Sequence, residues 1–287
     1  MGERDISGER ILITGANSGI GKATALKLAQ KGAHVILVAR SRSRGESALK
    51  EIIDKTGNES VEMMLADLSS QRSIRQLAED FKSKFDRLDV LINNAGGIFG
   101  KRRLTEDGIE WTFAVNHLAY FLLTNLLLDV IKKSTTARII NVASEAHRVA
   151  SLNLDDINKE NGYGFFSAYG ESKLANIMFT YELARRLKDS HVTVNCVHPG
   201  VVRTRFGSSA SPVFRFLTRI ASVCYLSAAK GAETSVYLAT SDEVEGVTGK
   251  YFIRKEPVQS SSESYNRELA RKLWNVSANL TMINDAG

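Results

Sequence analysis

The chain has 287 residues, 43% of them hydrophobic, and a formal charge of +6 from 38 Lys and Arg against 32 Asp and Glu. That length and apolar content supply one large core. A charge this modest, scattered outside the short basic runs at 40–44 and 101–103, gives no reason to expect nucleic acid as a partner. Residues 1–10 are charged and read as neither signal peptide nor membrane anchor, and no stretch approaches about 18 uninterrupted apolar residues, so no transmembrane segment and a cytoplasmic location are expected.

Cys196 and Cys224 have no metal or redox spacing and sit among apolar residues, which suggests buried thiols in a reducing compartment. The five histidines show no metal-ligand spacing, so no metal is expected. The sequons at Asn58, Asn275 and Asn279 are read as chance. No linker, low-complexity tract or repeat divides the chain. A single domain over 1–287 is expected.

In chain order, the first signal is RILITGANSGIG at residues 10–21. Ile11, Leu12 and Ile13 form a short apolar strand of the kind buried on both faces. Gly15, Gly19 and Gly21 follow at once and let backbone approach a ligand closely. The helical pattern that starts at Gly19 and Ile20 aims free N–H groups and its positive dipole end above the loop, which suits a pyrophosphate. A helix is predicted over 22–31, with Ala23, Leu26, Ala29 and Gln30 on its inner side, ended by Gly32. Strand two is predicted at 34–39, a helix at 44–56, strand three at 61–66 and a helix at 71–85. Strand four at 88–93 closes in Asn93-Asn94-Ala95-Gly96, and a long amphipathic helix spans about 108–133. Strand five is predicted at 138–143, a second long helix at 167–188 and strand six at 192–197. An irregular stretch follows, then a helix at 229–239, a seventh strand at 250–253 and a helix at 261–273. Strands alternating with helices of this length make βαβ units and a parallel sheet with helices on both faces. Ligands of such sheets bind beyond the carboxyl ends of the strands, where each suspicious residue here falls.

An acidic residue about 20 positions past the glycine loop usually holds the adenosine ribose. Here strand two ends in Val38-Ala39-Arg40-Ser41, without a carboxylate. Arg40 is placed to grip a 2′-phosphate, with Ser41, Arg42 and Arg44 as further donors, so NADP(H) is read over NAD(H). The alternative is a solvated basic turn. Asp67 is read either as an acceptor for the adenine amino group or as a plain helix N-cap, with Leu68 offering backbone contact.

Tyr169-Gly-Glu-Ser-Lys173 sets a phenol and an ammonium four residues apart on one helix face. A neighbouring cation favours phenolate and makes it a usable acid or base near neutrality. Ser144, at the end of strand five, can hold a substrate oxygen beside Tyr169. Asn116, inside the first long helix, can bond a backbone carbonyl or a water near Lys173, and an unsatisfied amide buried there would be costly. His147 is read as a structural hydrogen-bonding group rather than a substrate contact. Trp111 and Trp274 are read as helix packing.

With these residues in view, the chain resembles the short-chain dehydrogenase/reductase family over nearly its whole length. The resemblance rests on Thr14-Gly15-x-x-x-Gly19-x-Gly21, Asn93-Asn94-Ala95-Gly96, Tyr169-x-x-x-Lys173 and His198-Pro199-Gly200 with Thr204. It is most similar to the retinol dehydrogenase-like branch, through Val115-Asn116-His117-Leu118, Ser144-Glu145-Ala146-His147, Glu171-Ser172-Lys173-Leu174-Ala175-Asn176 and His198-Pro199-Gly200-Val201-Val202. The implied fold class is α/β, a Rossmann-type doubly wound parallel seven-stranded sheet. The implied catalytic tetrad is Asn116, Ser144, Tyr169 and Lys173. Tyr169 acts as acid or base, Ser144 polarises the substrate oxygen, Lys173 lowers the Tyr169 pKa and binds ribose, and Asn116 orders a relay water. Implied cofactor contacts are Gly15, Asn17, Ser18, Gly19, Ile20, Gly21, Arg40, Asp67, Leu68, Asn94, Ala95, Gly96, Tyr169, Lys173, Pro199, Gly200, Val202 and Thr204, with Val201 and Thr204 against the carboxamide.

Two departures stand out: the apolar N-terminal anchor of microsomal members is missing, and Ala143 precedes Ser144 where Ser is common. The stretch 198–228 is expected as a lid. Its apolar residues either cover a lipophilic carbonyl, alcohol or retinoid-like substrate or pack on the core or a second subunit. Pairing through the two long helices into a homodimer or homotetramer is a further expectation. The rival class is a catalytically silent NADP(H)-binding sensor or scaffold, against which the intact tetrad argues. Sugar-nucleotide epimerisation fits less well, because TGANSGIG has GxxxGxG rather than GxxGxxG spacing.

Overall fold

A computed structural model of the chain describes residues 2–200 and 227–283. The apolar runs become inner strands, because a strand covered on both faces needs no polar side. The strands are β1 (Arg10–Thr14), β2 (His34–Ala39), β3 (Val61–Leu65), β4 (Val90–Asn93), β5 (Arg138–Val142), β6 (Thr193–His198), β7 (Tyr251–Ile253) and β8 (Glu256–Val258). They form one sheet in the order β3-β2-β1-β4-β5-β6-β7-β8, parallel except for β8, which pairs antiparallel with β7. The seven expected strands are thus joined by an eighth. Its turn signal was missing: Arg254 and Lys255 take positive φ of 52° and 70° between β7 and β8, where Asn-Gly is the usual choice.

The helices are α1 (Gly19–Ala29), α2 (Arg42–Thr56), α3 (Gln71–Lys84), α4 (Trp111–Ile131), α5 (Phe165–Arg186), α6 (Ala228–Thr240) and α7 (Arg267–Thr281). Alternate side chains of each strand point to opposite faces. Leu12, Ile36, Leu91 and Ile139 therefore share one core with α3, α4, α5 and α7, including Phe81, Phe121, Phe179 and Trp274. Ile11, Ile13, Val35, Leu37 and Ile140 share the other with α1, α2 and α6. The buried residues of α1 are Gly21, Thr24, Ala25, Leu28 and Ala29: of the expected inner side Ala29 is buried, Ala23 and Leu26 are half-buried and Gln30 is exposed.

α4 is long and apolar enough to cross a membrane by length and composition, but 72% of its apolar window is buried inside the fold. It is not one regular helix. Ala114–Leu118 forms a π-helical turn, the kind of widened turn that recurs at functional sites. α7 lies on the flank of α4 and α5, with the Trp274 ring 4.9 Å from Phe121 and 5.9 Å from Phe179. The chain thus packs a helix of its own on both long helices. Cys196 is buried; Cys224, Val201, Val202, Thr204 and most of the expected lid lie outside the described residues.

Candidate active site

The sheet order reverses direction between β1 and β4, and in sheets of this kind ligands bind at such a reversal, beyond the carboxyl ends of the strands. Gly15 and Gly19 take φ of +67° and +56°, a backbone that favours glycine. Gly21 is required for a different reason: a Cβ there would stand 2.5 Å from both Asn94 Nδ2 and the Gly15 carbonyl oxygen. β4 secures this loop. Thr14 Oγ1 accepts from the Asn94 and Ala95 amides at 2.9 and 3.0 Å, and Asn94 Nδ2 donates to the Thr14 carbonyl at 2.8 Å. Asn94 therefore clamps strand to loop. Ser18 N-caps α1 in extended backbone with no side-chain capping bond, so its hydroxyl and the first-turn N–H groups beside Asn17 and Ile20 are not consumed by the cap.

At the end of β2, Arg40 is exposed and makes no hydrogen bond or ion pair among the described residues. Asp67 is not the cap of α3, as one of its two readings had it. Its Oδ1 accepts from the Ser69 amide at 3.0 Å and hydroxyl at 2.7 Å, while Ser70 caps the helix by accepting from Ser73 N–H. The Leu68 side chain turns into the core, which leaves its backbone as the available contact. Glycine loop, unpaired Arg40 and uncommitted Ser18 hydroxyl fit a phosphorylated dinucleotide.

The reaction end is built on α4, β5 and α5. Ser144 follows β5 and starts a 3₁₀ turn, Glu145–Val149; its Oγ accepts from Ala146 N–H at 3.2 Å and hydrogen-bonds Tyr169. Tyr169 and Lys173 lie one turn apart on α5, with Lys173 Nζ 5.7 Å from the Tyr169 ring centre and donating to the Val142 carbonyl at 2.9 Å. Asn116 sits in the π-turn. It accepts from Gly97 N–H and donates to the Gly97 carbonyl, at 2.9 and 3.0 Å, and to Ser172 Oγ at 3.0 Å. Gly96 joins the groups: a Cβ there would lie 3.0 Å from Asn116 Oδ1 and 3.4 Å from Lys173 Nζ. The four residues of the implied tetrad are thus brought together. Pro199 and Gly200, the latter at φ +83°, follow β6 along the same edge.

The electrostatics differ from expectation. Burial pushes the Tyr169 phenol up to about 12, opposed by its hydrogen bond with Ser144, and burial pushes the Lys173 amine down to about 7. Desolvation disfavours whichever form is charged, and burial is the largest cause of both shifts. Lys173 can stabilise a phenolate only while it holds its proton.

Three supporting residues carry no role in the sequence analysis, where Ser172 and Asn176 stand only within a quoted motif and Tyr120 is not named. Asn176 Nδ2 donates to the Asn116 carbonyl at 2.9 Å, and its Oδ1 meets His117 Nδ1 at 3.2 Å. Ser172 backs Asn116. Tyr120, one turn beyond Asn116, is buried with its ring centre 5.6 Å from Lys173 Nζ, and its hydroxyl has no hydrogen-bond partner among the described residues. The signal was periodicity: Tyr120 is i+4 from Asn116, and Asn176 is i+3 from Lys173, on faces already singled out.

Residues 9–212 match the family model described as short chain dehydrogenase. The chain is 42% identical over 286 residues to Retinol dehydrogenase 14 of Mus musculus, covering 94% of this chain and 85% of that protein. Among solved structures, an uncharacterized protein from Mycobacterium Paratuberculosis superposes with a TM-score of 0.79 at 32% identity, covering 98% of this chain and 96% of that one. The Pseudomonas aeruginosa RhlG/NADP active-site complex superposes with a TM-score of 0.71 at 25% identity, covering 91% and 98%.

Proposed function

Because this chain belongs to the short chain dehydrogenase family, in its retinol dehydrogenase-like branch, we propose that it is an NADP(H)-dependent oxidoreductase acting between a lipophilic carbonyl and its alcohol. One observation carries the reading: Tyr169, Ser144, Lys173 and Asn116 converge where the glycine loop and β4 meet. The NADP(H) preference is supported by unpaired Arg40 at the end of β2 and by NADP in the RhlG complex. The lipophilic substrate is supported by the apolar residues of 205–227 and by the retinol named for the Mus musculus relative.

The bound nicotinamide would supply or take up the hydride. Ser144 Oγ holds the substrate oxygen, and Tyr169 gives it a proton in reduction and removes one in oxidation. Lys173 spends one of its three N–H donors on the Val142 carbonyl and keeps two for a ribose hydroxyl and the phenol. Asn116, fixed by Gly97 and Ser172, holds the floor of the site in place.

The test is Tyr169→Phe, assayed with NADPH on a panel running from short aldehydes to retinal. Turnover is expected to fall by about 10²–10⁴ with cofactor binding unchanged. A near-normal rate overturns the assignment of the proton to Tyr169. Tight NADPH binding with no wild-type turnover would favour the sensor.

A further inference from the structure

His147 is fully buried, three residues past Ser144, and does not take part in the chemistry set out above. Its Nδ1 lies 2.7 Å from the Ser144 carbonyl oxygen, and its Nε2 lies 3.0 Å from the Ser261 amide nitrogen. A carbonyl can only accept and an amide N–H can only donate. The ring must therefore carry its proton on Nδ1 and none on Nε2, and the tautomer follows from its partners. Burial also lowers the His147 pKa, which favours this neutral form.

The ring has little freedom to leave. It packs edge-on against Tyr251, with centroids 5.1 Å apart. Tyr251 in turn donates to Glu145 Oε1 at 2.7 Å, and Arg148 Nε donates to Glu145 Oε2 at 2.9 Å. On the other side α5 approaches so closely that a Cβ on Gly170 would stand 2.9 Å from the Ala146 carbonyl oxygen. The whole 144–148 turn is thus pinned between α5 and the stretch that follows β8.

We propose that His147 is the positioning residue of Ser144: locked as the Nδ1–H tautomer between the Ser144 carbonyl and the Ser261 amide, it fixes the turn that directs Ser144 Oγ toward Tyr169. This rests on the oxidoreductase reading and adds a residue to it. The ring touches neither substrate nor cofactor. It acts through one peptide group, and a shift of that group carries the serine hydroxyl away from the substrate oxygen.

Two near-isosteres separate positioning from mere support. In His147→Asn the side-chain amide N–H replaces Nδ1–H toward Ser144, whereas in His147→Gln the amide oxygen replaces Nε2 toward Ser261. Each keeps one of the two bonds, so melting temperatures are expected to fall alike. We expect kcat to stay within about threefold in His147→Asn and to fall about tenfold to a hundredfold in His147→Gln, with KM for NADPH unchanged in both. Equal kcat in the two variants overturns the proposal. If the wild-type chain reduces no carbonyl, the oxidoreductase reading falls and His147 is judged by NMR. The Ser144 carbonyl-carbon resonance should move in His147→Gln and hold in His147→Asn, and the reverse pattern overturns it.

Discussion

Lys173 shows what burial does to a charged group placed for chemistry. It is 3% exposed, its amine is held near 7, and an unfolded chain would keep that proton up to about 10.5. Between those values the folded state binds fewer protons than the unfolded one, so this residue makes stability rise with pH across the window. Its penalty is fully present below about pH 7. The urea midpoint of the wild-type chain, measured against Lys173→Met, should therefore climb between pH 7 and 9. Parallel profiles would show that the amine keeps its proton when folded. Tyr169 works in the opposite sense at higher pH, since its folded pKa near 12 is raised and its contribution is lost as pH passes 10. Arg40 tests a different energy. A charge-assisted contact to a 2′-phosphate is worth about 1.5–3 kcal/mol, so Arg40→Asp should raise KM for NADPH about tenfold or more while sparing NADH. An unchanged cofactor ratio would mean that another group reads the phosphate.

The Tyr169–Lys173 helix can lie against the Ser144 turn only because Gly170 lacks a side chain. Gly170→Ala should cost about 1–3 kcal/mol of stability by overpacking and lower kcat more than KM, read from melting and from steady-state rates. A fully active, equally stable variant would show that α5 can back away without disturbing the site. The sequence displayed α5 clearly, since Tyr169 and Lys173 stand at helical spacing, but it did not display the contact that makes Gly170 obligatory. Asn116 gives a similar case. Residues 108–133 read as one amphipathic helix, whereas the structure starts it at Trp111, widens it at Ala114–Leu118 and passes the Asn116 carbonyl to Asn176. Periodicity reports which face is apolar, and one extra residue in a turn barely alters it. β8 was hidden by chemistry instead, with an Arg-Lys turn where glycine or asparagine would have announced a hairpin.

Across the whole molecule, the inner strands and the convergence of the site at their carboxyl ends were legible, because both follow from apolar runs and the residues just after them. That Trp274 serves helix packing was legible as well, but its partners were not, since they lie in distant segments. Trp274 packs on Phe121 and Phe179, and the Arg186 guanidinium lies 4.0 Å from its ring centre. Trp274→Ala should cost about 3–5 kcal/mol, seen as a lower urea midpoint. A change under 1 kcal/mol would mean that α7 is only loosely attached.

His117, next to Asn116, reaches Ser277 across 160 residues, and Gln71 reaches the Leu280 carbonyl across 209. His147 reaches Ser261 across 114. During synthesis, residues 261–281 leave the ribosome after every other element of the described fold. Contacts of such long sequence separation also form late, because loop closure must come first. A nascent chain can therefore fold its glycine loop and inner sheet well before α4 and the Ser144 turn have their final partners. Dinucleotide affinity should emerge earlier in translation than turnover, and a stalled chain would hold cofactor without using it.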